Sequence, residues 1–448
     1  MAQGASTHAG STGNPVVDRA EARRALRRVV IASVVGTTIE WYDFFLYGIV
    51  AGLVFNHLFF PETTPLMGTL LAYATFAVGF IARPLGGVIF GHFGDRIGRK
   101  SMLILTLMIM GVATFLIGLL PTYASLGVWA SVLLLILRVL QGIGLGGEWG
   151  GSVLMAYEYA PPEKRGLYAS LPQVGLSIGL CLGTGVVALV SLLPEAQFMS
   201  WGWRVAFLLS GILVFVGLYI RLRIFETPEF ASVKAQHKEA KIPIVELFTH
   251  YKKNILLGMG ARYIDGVCFN IYAVFAIGYL ANQLHFPRTT ALLGVTIASL
   301  VMIVFIPLFG SLSDRIGRSK VYGWGAVITG AAAFPSFWIF HNTVDPLWIW
   351  LAIVIPFGIV YAAVYGPEAA LFAELFDTRV RYTGISFVYQ FSGIFASGLT
   401  PLIATALLPL GDNQPWLICW YSLAVGLISA VSAYLIHNGR ARAIPAAA

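Results

Sequence analysis

Ionisable side chains occur inside long apolar stretches of this sequence, and they are the residues best able to do chemistry there. Glu40 and Asp43 lie in the first apolar stretch, Arg83 in the second and Arg138 in the fourth. A charge in hydrocarbon is costly, so each is a functional candidate. Arginine stays charged and grips both oxygens of a carboxylate, whereas a carboxylate can take up a proton. We therefore predict that the two arginines bind an anionic substrate and that one of the two carboxylates carries a proton.

The positions of these residues along their stretches place them deep in a membrane. With a helical rise of about 1.5 Å per residue, Glu40 lies about 16 Å inside the first stretch. Asp43 follows one turn later on the same face. Arg83 lies about 10 Å from the inner end of the second stretch, within reach of Glu40. The alternative is that Glu40 and Arg83, or Arg138 and Glu148, form structural ion pairs.

A second pair of charges lies in the seventh apolar stretch, where Arg262 and Asp265 are three residues apart. One interpretation is that the two neutralise each other within one helix. The other is that Arg262 binds a second acidic group of the substrate while Asp265 takes part in proton coupling. Four polar residues of the same half could add hydrogen bonds to the substrate, although such side chains also hold membrane helices together: Tyr263, Asn270, Tyr272 and Gln390.

The composition of the chain excludes a water-soluble fold. Of its 448 residues, 58% are hydrophobic and only 11% are charged, whereas soluble domains carry about a quarter charged residues. Most of the apolar stretches reach the roughly 20 residues that cross a bilayer. We predict an all-α membrane protein with twelve transmembrane helices, near residues 29–57, 66–91, 101–121, 126–158, 165–194, 202–223, 252–284, 289–311, 319–340, 347–373, 382–408 and 415–437.

The net charge is +8, and the positions of the basic residues indicate membrane topology and not a nucleic-acid-binding surface. Lys and Arg cluster in every second loop, and the loops between those clusters are short and poor in basic residues. This is the positive-inside pattern of membrane proteins. We predict a multi-pass protein of a bacterial inner membrane, with both termini in the cytoplasm, embedded in lipid and not bound to nucleic acid.

The two halves of the sequence resemble each other. GHFGDRIGRK at 91–100 recurs as GSLSDRIGRSK at 310–320, and a weaker match relates 162–170 to 377–386. Parallel repeats of this kind are typical of transporters built from two six-helix bundles. The predicted division is a cytoplasmic tail, a first bundle, a cytoplasmic linker, a second bundle and a second tail: 1–28, 29–224, 225–250, 251–438 and 439–448.

The repeated charged segments lie at the cytoplasmic surface, too far from the membrane centre to contact a substrate there. Their charges are suited to hydrogen bonds that hold the inner face closed and break when the halves rock. The alternative is a tight glycine turn whose charges only set the topology. The predicted gating residues are Asp95, Arg96, Arg99, Asp314, Arg315 and Arg318, together with Glu148, which we expect to tether the basic loop.

These motifs carry a family resemblance that spans residues 29 to 437. The segment at 91–100 resembles the signature loop of the major facilitator superfamily. EWYDFFLY at 40–47, ARPLGG at 82–87 and RVLQGIGLGGE at 138–148 resemble the metabolite:proton symporter family. The resemblance implies proton-coupled uptake, and the buried arginines favour a small organic acid as the substrate, such as a shikimate-like, aromatic or dicarboxylic acid. The alternative within the family is a zwitterionic osmolyte of the proline or betaine type.

The sequence offers no metal-binding motif. The three cysteines, Cys181, Cys268 and Cys419, lie in apolar stretches without metal-ligand spacing. No zinc-binding helix motif of the H-E-x-x-H type occurs. We therefore expect no enzyme activity, no metal and no cofactor, and we expect a monomer. From a different class of proteins, a non-transporting membrane nutrient sensor is the alternative.

Overall fold

The computed structural model describes residues 15–97, 99–146, 149–158, 160–222, 243–376 and 381–443, and within these ranges the chain is helical without strands. The apolar stretches form helices because a backbone in hydrocarbon must satisfy its own hydrogen bonds. The amino-terminal half contains α1 (Pro15–Val50, continued by Ala51–Phe55 and Asn56–Leu58), α2 (Pro65–Ile97), α3 (Arg99–Leu119), α4 (Val128–Leu145, continued by Trp149–Glu158), α5 (Arg165–Ser170, continued by Val174–Val190) and α6 (Phe198–Gly202, continued by Trp203–Leu222).

The carboxy-terminal half repeats this arrangement, and eleven helices of the described chain are long and apolar enough to cross a membrane. The described apolar part of α3 is shorter. The predicted all-α membrane fold with twelve helices is confirmed. The second half contains α7 (Lys252–Asn270, continued by Ile271–Phe275 and Ala276–Asn282), α8 (Arg288–Ile316), α9 (Arg318–Ala331, continued by Ala333–Asn342), α10 (Pro346–Ile353, continued by Val354–Val360 and Ala362–Ala373), α11 (Arg381–Gly393, continued by Ile394–Gly398 and Thr400–Leu410) and α12 (Trp416–Ala443).

Several helix ends differ from the sequence-based boundaries, and two of them show a local cause. The turn Glu195–Gln197 follows Pro194 and runs on into α6, so this helical segment begins before residue 202. Helix α8 continues to Ile316, where Gly317 adopts a φ of 101° and ends it. Only glycine takes that conformation at little cost. The repeated motif in the second half is therefore the last turn of one helix and the first turn of the next, not an extended loop.

The segments outside the bundles also differ from the expectation. Residues 15–28, assigned above to the tail, already belong to α1, because this alanine-rich and arginine-rich stretch is made of strong helix formers. Of the expected linker, the described part is the short helix Pro243–His250. Phe248 of that helix packs edge-on against Phe387 of α11 at 5.0 Å between ring centroids, so this end of the linker is attached to the second bundle.

Glycines bring α2 and α4 into direct backbone contact. A Cβ on Gly142 would collide with the carbonyl of Gly79, and a Cβ on Gly146 would collide with the carbonyl of Arg83. A Cβ on Gly86 would in turn collide with the carbonyl of Ile143. Small residues at such positions let membrane helices approach closely. The close approach brings Arg83 and the polar residues of α4 into the centre of the protein.

Helices α1 and α7 each contain a π-helical turn at equivalent places, Ala51–Phe55 and Ile271–Phe275. Such turns widen a helix locally and leave a backbone carbonyl available to other donors. Both turns provide carbonyls for contacts between the halves, described below. The halves also meet along α5 with α8 and along α2 with α11.

Candidate functional site

A small cavity lies between the two halves, lined by α1, α2 and α5 on one side and α7, α10 and α11 on the other. The space left for the centre of a water molecule is about 10 Å³, roughly one water. The cavity is therefore occluded, and a larger ligand requires the halves to move apart. Aromatic rings form much of its wall: Trp41, Phe45, Phe80, Phe269, Tyr361 and Tyr389. The polar part of the wall consists of Arg83, Arg262, Asp265, Asn270 and Ser397.

Arg83 of α2 enters the cavity from the amino-terminal half and is 1% exposed. Its guanidinium carbon lies 5.1 to 5.8 Å from the ring centroids of Trp41, Phe44, Phe80 and Tyr389. Rings stabilise the cation through their faces, but they accept no strong hydrogen bonds. Within the part of the chain that the structure describes, Nε and Nη2 of Arg83 have no hydrogen-bond partner. Two donors of a buried cation are thus open to a ligand in the cavity.

Arg262 of α7 enters the cavity from the opposite half. Its Nη2 lies 3.4 Å from Oδ2 of Asp265, and its guanidinium carbon lies 3.9 Å from the ring centroid of Tyr389. The hydroxyl of Tyr361 donates to Oδ1 of Asp265 at 2.5 Å. Nε and Nη1 of Arg262 have no hydrogen-bond partner among the described residues. The predicted pairing of Arg262 with Asp265 is present, and it still leaves two donors open.

The cavity is suited to a small anion with an apolar body. Two arginines from opposite halves offer four open N–H-bearing nitrogens, and charge-assisted hydrogen bonds to a carboxylate are the strong kind. Oδ1 of Asn270 also has no partner, whereas its Nδ2 donates to the carbonyl of Gly266 at 2.8 Å. This oxygen can accept a hydrogen bond from a substrate hydroxyl. The rings around these polar groups provide apolar contact area.

Arg138, predicted as a substrate ligand, lies apart from the cavity and is fully engaged. Its Nε and Nη2 donate to the carbonyl of Phe76 at 3.4 Å, and Nη1 donates to the carbonyl of Phe44 at 3.2 Å and to Oε1 of Gln141 at 3.0 Å. Gly79 leaves the room for this guanidinium, because a Cβ there would collide with Nε. Arg138 thereby connects α1, α2 and α4. In this state each of its three nitrogens is already hydrogen-bonded within the protein.

Asp43 is buried inside the amino-terminal bundle, on the side of α1 that faces away from the cavity. Ser210 of α6 donates to its Oδ1 at 2.6 Å, while Oδ2 has no hydrogen-bond partner among the described residues. Gln141 donates to Thr114 at 2.8 Å and approaches the backbone carbonyl of Asp43 at 3.5 Å. A polar network therefore extends from the backbone of Asp43 through Gln141 to Arg138. One oxygen of the carboxylate is left for a proton.

Three other predicted site residues, Glu40, Tyr263 and Tyr272, lie outside the cavity. Glu40 is buried one turn before Asp43 and does not line the cavity. Tyr263 lies beside Tyr421 of α12, outside the cavity. The hydroxyl of Tyr272 donates to Ser336 of α9 at 2.9 Å. These tyrosines hold helices of one bundle together.

Gln390, predicted to bind the substrate, makes a contact between the two halves. Its Nε2 donates to the carbonyl of Gly146 at 3.1 Å, which joins α11 to α4 across the two halves. A similar contact joins α5 to α10, where Nε2 of Gln173 donates to the carbonyl of Tyr365 at 2.7 Å. The ring of Tyr389 stacks on Trp149 at 3.6 Å between centroids. These contacts must break whenever the halves separate on this side of the cavity.

At one face of the protein, which we call the Asp314 face, the repeated motif joins the halves. Oδ1 of Asp314 accepts from the backbone N–H of Gly166 at 2.8 Å, and Oδ2 accepts from that of Leu167 at 3.0 Å. Both N–H groups belong to the start of α5, where a helix favours negative charge. Arg318 holds Asp314 at 3.3 Å and also pairs with Glu374 of α10. These contacts fit the closed state of a gate.

At the opposite face, which we call the Arg288 face, a second set of contacts joins the halves. Arg288 of α8 pairs with Glu195 and lies over the ring of Phe198 at 4.4 Å. Asn282 donates to the carbonyl of Gly52 at 3.0 Å, in the π-helical turn of α1. The hydroxyl of Tyr73 lies 3.5 Å from the carbonyl of Val274, in the turn of α7. With contacts across both faces, the cavity between them is closed from both sides.

Several predicted gating residues lie outside what the structure describes. Glu148 falls in an undescribed segment, and the side chains of Asp95, Arg96 and Arg99 are likewise not described. Arg315 is exposed at the end of α8. Among the described residues, no three His, Cys, Asp or Glu side chains converge as a metal site requires.

Sequence reasoning missed one buried carboxylate, Glu368 of α10. It lies within the apolar span Pro346–Ala373 and is 0% exposed. The rule that selected Asp43 and Asp265, an acidic residue inside an apolar stretch, would also have selected Glu368. The aromatic lining was missed for another reason. Rings make up 13% of the chain, so their presence in a stretch does not distinguish a cavity wall from a lipid-facing surface.

Comparisons with known proteins agree with this architecture. Residues 29–245 match the family described as Sugar (and other) transporter, and residues 255–446 match the Major Facilitator Superfamily. The Shikimate transporter of Escherichia coli (strain K12) is 41% identical over 418 residues, which cover 92% of this chain and 95% of that protein. The Proline/betaine transporter of the same strain is 34% identical over 420 residues, covering 91% and 83%.

The comparison with solved structures concerns the fold alone, because the sequence identity is low. A crystal structure of a D-xylose-proton symporter superposes with a TM-score of 0.70 at 19% identity, covering 91% of this chain and 96% of that one. A partially occluded inward-open xylose transporter from E. coli superposes with a TM-score of 0.69 at 18% identity, covering 94% and 98%.

Proposed function

This chain belongs to the major facilitator superfamily and, within it, to the metabolite:proton symporters, and from that membership we propose that it imports a small organic acid together with protons. The observation that carries the proposal is the pair of buried arginines, Arg83 and Arg262, which face one cavity from opposite halves with open donor nitrogens. A single carboxylate bound between them would connect the halves.

The charge of the cavity favours a monoanion. Arg83 and Arg262 bring two positive charges and Asp265 one negative charge, so the lining carries an excess of one positive charge. A buried charge without compensation is costly, and an anion that neutralises it binds at that site in preference to a neutral molecule. Shikimate, named in the relative at 41% identity, is a hydroxylated cyclic carboxylate. Its chemistry matches two guanidinium groups, an amide oxygen and an aromatic wall.

A zwitterionic osmolyte is the alternative, because the 34% relatives are named for proline and betaine. A quaternary ammonium group binds best on the faces of aromatic rings. In this cavity, the guanidinium of Arg83 already lies over Trp41 and Phe80, and that of Arg262 lies over Tyr389. A second cation would compete with these arginines for the same faces. The arrangement therefore favours the anion.

Translocation would proceed by alternating opening of the two gates. The contacts of Asp314 and Arg318 would close one face and those of Arg288 and Glu195 the other. Rocking of one bundle against the other would break one set at a time. We assign the Asp314 face to the cytoplasm, with both termini on that side, from the distribution of basic residues. The working unit would be the monomer, since one chain supplies both halves of the cavity.

Asp43 is the candidate for the coupled proton in the amino-terminal bundle. It lies between Trp41 and Phe45 in the sequence, and both of these rings line the cavity on the opposite face of α1. A change in the charge of Asp43 would therefore act on the helix that carries part of the cavity wall. Substrate and proton would be coupled because both bias the same equilibrium between the two open states.

Uptake by proteoliposomes would test the proposal. The purified protein would be reconstituted and exposed to an inward proton gradient with labelled shikimate, and in parallel with labelled glycine betaine. We expect accumulation of shikimate that an uncoupler abolishes and that the Arg83→Met variant lacks. Accumulation of betaine alone would establish the osmolyte alternative. If shikimate raises the melting temperature of the protein without entering the vesicles, the protein is a sensor and the transport proposal is wrong.

A further inference from the structure

Glu368 is a buried carboxylate that the proposed function above does not use. It lies in α10, is 0% exposed, and neither of its oxygens has a hydrogen-bond partner within the described chain. It does not line the cavity. An ionised carboxylate without donors in a protein interior is far more costly than the neutral acid. The geometry therefore fits a carboxyl group that carries a proton in this occluded state.

The charged and titratable neighbours of Glu368 come from four helices. Arg262 and Asp265 of α7 interact with it electrostatically. The hydroxyls of two tyrosine neighbours are already used, since Tyr322 donates to the carbonyl of Ala261 at 2.7 Å and Tyr361 donates to Asp265. The full set of such neighbours is Arg262, Asp265, Tyr322, Tyr361, Tyr365 and Tyr389. One cation, Arg262, thus interacts with both carboxylates, Asp265 and Glu368.

The protonation state of Glu368 decides the charge that a substrate anion meets. When Glu368 carries a proton, Arg262 and Asp265 neutralise each other and the cavity keeps the positive charge of Arg83. When Glu368 is ionised, the same cluster carries a net negative charge and opposes an anion. Because the interior screens charge weakly, this opposition reaches the cavity. Loading of the proton and of the anion would therefore favour each other, as thermodynamic linkage requires.

We propose that Glu368 is a second proton carrier of the transport cycle, located in the carboxy-terminal bundle, and that its protonation is required for tight binding of the anion. This inference rests on the proposed symport. The proton would pass from water at the Arg288 face to an oxygen of Glu368 and return to water at the Asp314 face after the halves rock. No covalent bond other than O–H forms or breaks, and each step conserves charge.

Infrared spectroscopy would test the protonation without any substrate. Purified protein in lipid films would be titrated with pH while the carbonyl stretch of protonated carboxylic acids is recorded. We expect the band at neutral pH to lose one component in the Glu368→Gln variant and to keep that component in the Glu368→Asp variant. The matched control is Asp345→Asn, which makes the same chemical change at the start of the same helix. Asp345 caps α10 there by accepting from the N–H of Leu347, and asparagine caps equally well. An unchanged band in Glu368→Gln would refute the proposal.

Transport by the same variants would test the coupling. With an imposed gradient of about one pH unit, each coupled proton contributes about tenfold to the accumulation ratio. We expect Glu368→Gln to lower accumulation of labelled shikimate about tenfold relative to Asp345→Asn, with exchange of internal for external shikimate retained. Equal accumulation by both variants, or loss of exchange together with accumulation, would contradict the assignment of Glu368 as a proton carrier.

The two proposals fail in different ways. If the wild-type protein shows no proton-driven accumulation of shikimate, the proposed function fails regardless of Glu368. If the wild-type protein accumulates shikimate and Glu368→Gln does so equally well, only the second carrier is refuted. The infrared band reports on Glu368 in either case, because its measurement involves neither shikimate nor a gradient.

Discussion

The two bundles each bury arginine and carboxylate groups, but they treat them differently. In the amino-terminal bundle, every donor nitrogen of Arg138 reaches an acceptor, and the polar chain through Gln141 extends towards Asp43. In the carboxy-terminal bundle, Arg262 keeps two open nitrogens beside Asp265, and Glu368 has no hydrogen bond within the described structure. Burial is almost the same in both places. The difference lies in the completeness of the hydrogen bonding.

This difference separates a structural arginine from a binding arginine. A fully satisfied buried network makes its surroundings rigid, whereas an incomplete one leaves a cost that a ligand can relieve. Arg83 lies in the amino-terminal bundle, but its hydrogen bonding is incomplete like that of Arg262. Its Nε and Nη2 have no partner among the described residues, and its guanidinium faces the cavity. The comparison therefore predicts that replacing Arg83 by methionine weakens substrate binding, whereas replacing Arg138 by methionine lowers stability.

The largest effect is expected for Arg83→Met on substrate binding. Removal of one side of a buried ion pair costs about 3 kcal/mol, more than a hundredfold in Kd. Isothermal titration of the purified variant with shikimate would measure this loss. The melting temperature should stay the same or rise, because an incompletely bonded charge is replaced by an apolar chain. Normal affinity in this variant would show that Arg83 is structural.

The matched change, Arg138→Met, should act on stability. It would leave Oε1 of Gln141 without its donor at 3.0 Å and remove the contacts to two backbone carbonyls. A buried polar group left unpaired costs about 2 kcal/mol. Melting curves in detergent would show a lower melting temperature than for Arg83→Met. If the order of the two melting temperatures is reversed, completeness of hydrogen bonding does not distinguish the two arginines.

A smaller effect is expected for Asp43→Asn, which tests the carboxylate of the amino-terminal bundle. Asparagine keeps the hydrogen bond with Ser210 but holds no exchangeable acidic proton. With a gradient of about one pH unit, accumulation should fall about tenfold, the contribution of one proton. Exchange of shikimate across the membrane should continue. A protein with both Asp43→Asn and Glu368→Gln should lose the contributions of both protons to accumulation. If this double variant accumulates as much shikimate as either single variant, only one proton is carried.

The fold could be predicted from the sequence because the bilayer leaves few alternatives. Long apolar stretches in hydrocarbon must be helices, and the repeat of the Asp95 segment at Asp314 indicated two related halves. The helix ends were less predictable. Gly317 ends α8 only because its φ is 101°, a backbone conformation that the sequence pattern does not specify.

The site could be predicted only in part. Charge in an apolar stretch identified Arg83, Arg262 and Asp265, all of which line the cavity. The same rule selected Arg138, because a sequence does not show which carbonyls of neighbouring helices a side chain will reach. Those carbonyls come within reach of Arg138 through the glycine-mediated approach of α2 and α4. Packing between helices, more than residue type, therefore separates the two roles.

The smallest effect is expected for Tyr361→Phe, which changes the incomplete cluster by one hydroxyl. The hydroxyl of Tyr361 donates to Oδ1 of Asp265 at 2.5 Å, so it stabilises the charge that partly neutralises Arg262. Without this hydrogen bond, Asp265 should pair more strongly with Arg262. Arg262 should then bind the substrate less strongly. A hydrogen bond to a charged group contributes about 1.5 kcal/mol, so the affinity for shikimate should fall by about tenfold or less. Titration calorimetry against Tyr272→Phe, whose hydroxyl bonds to Ser336 away from the cavity, provides the control. Equal affinities in the two variants would mean that Asp265 and Arg262 act only as a structural pair.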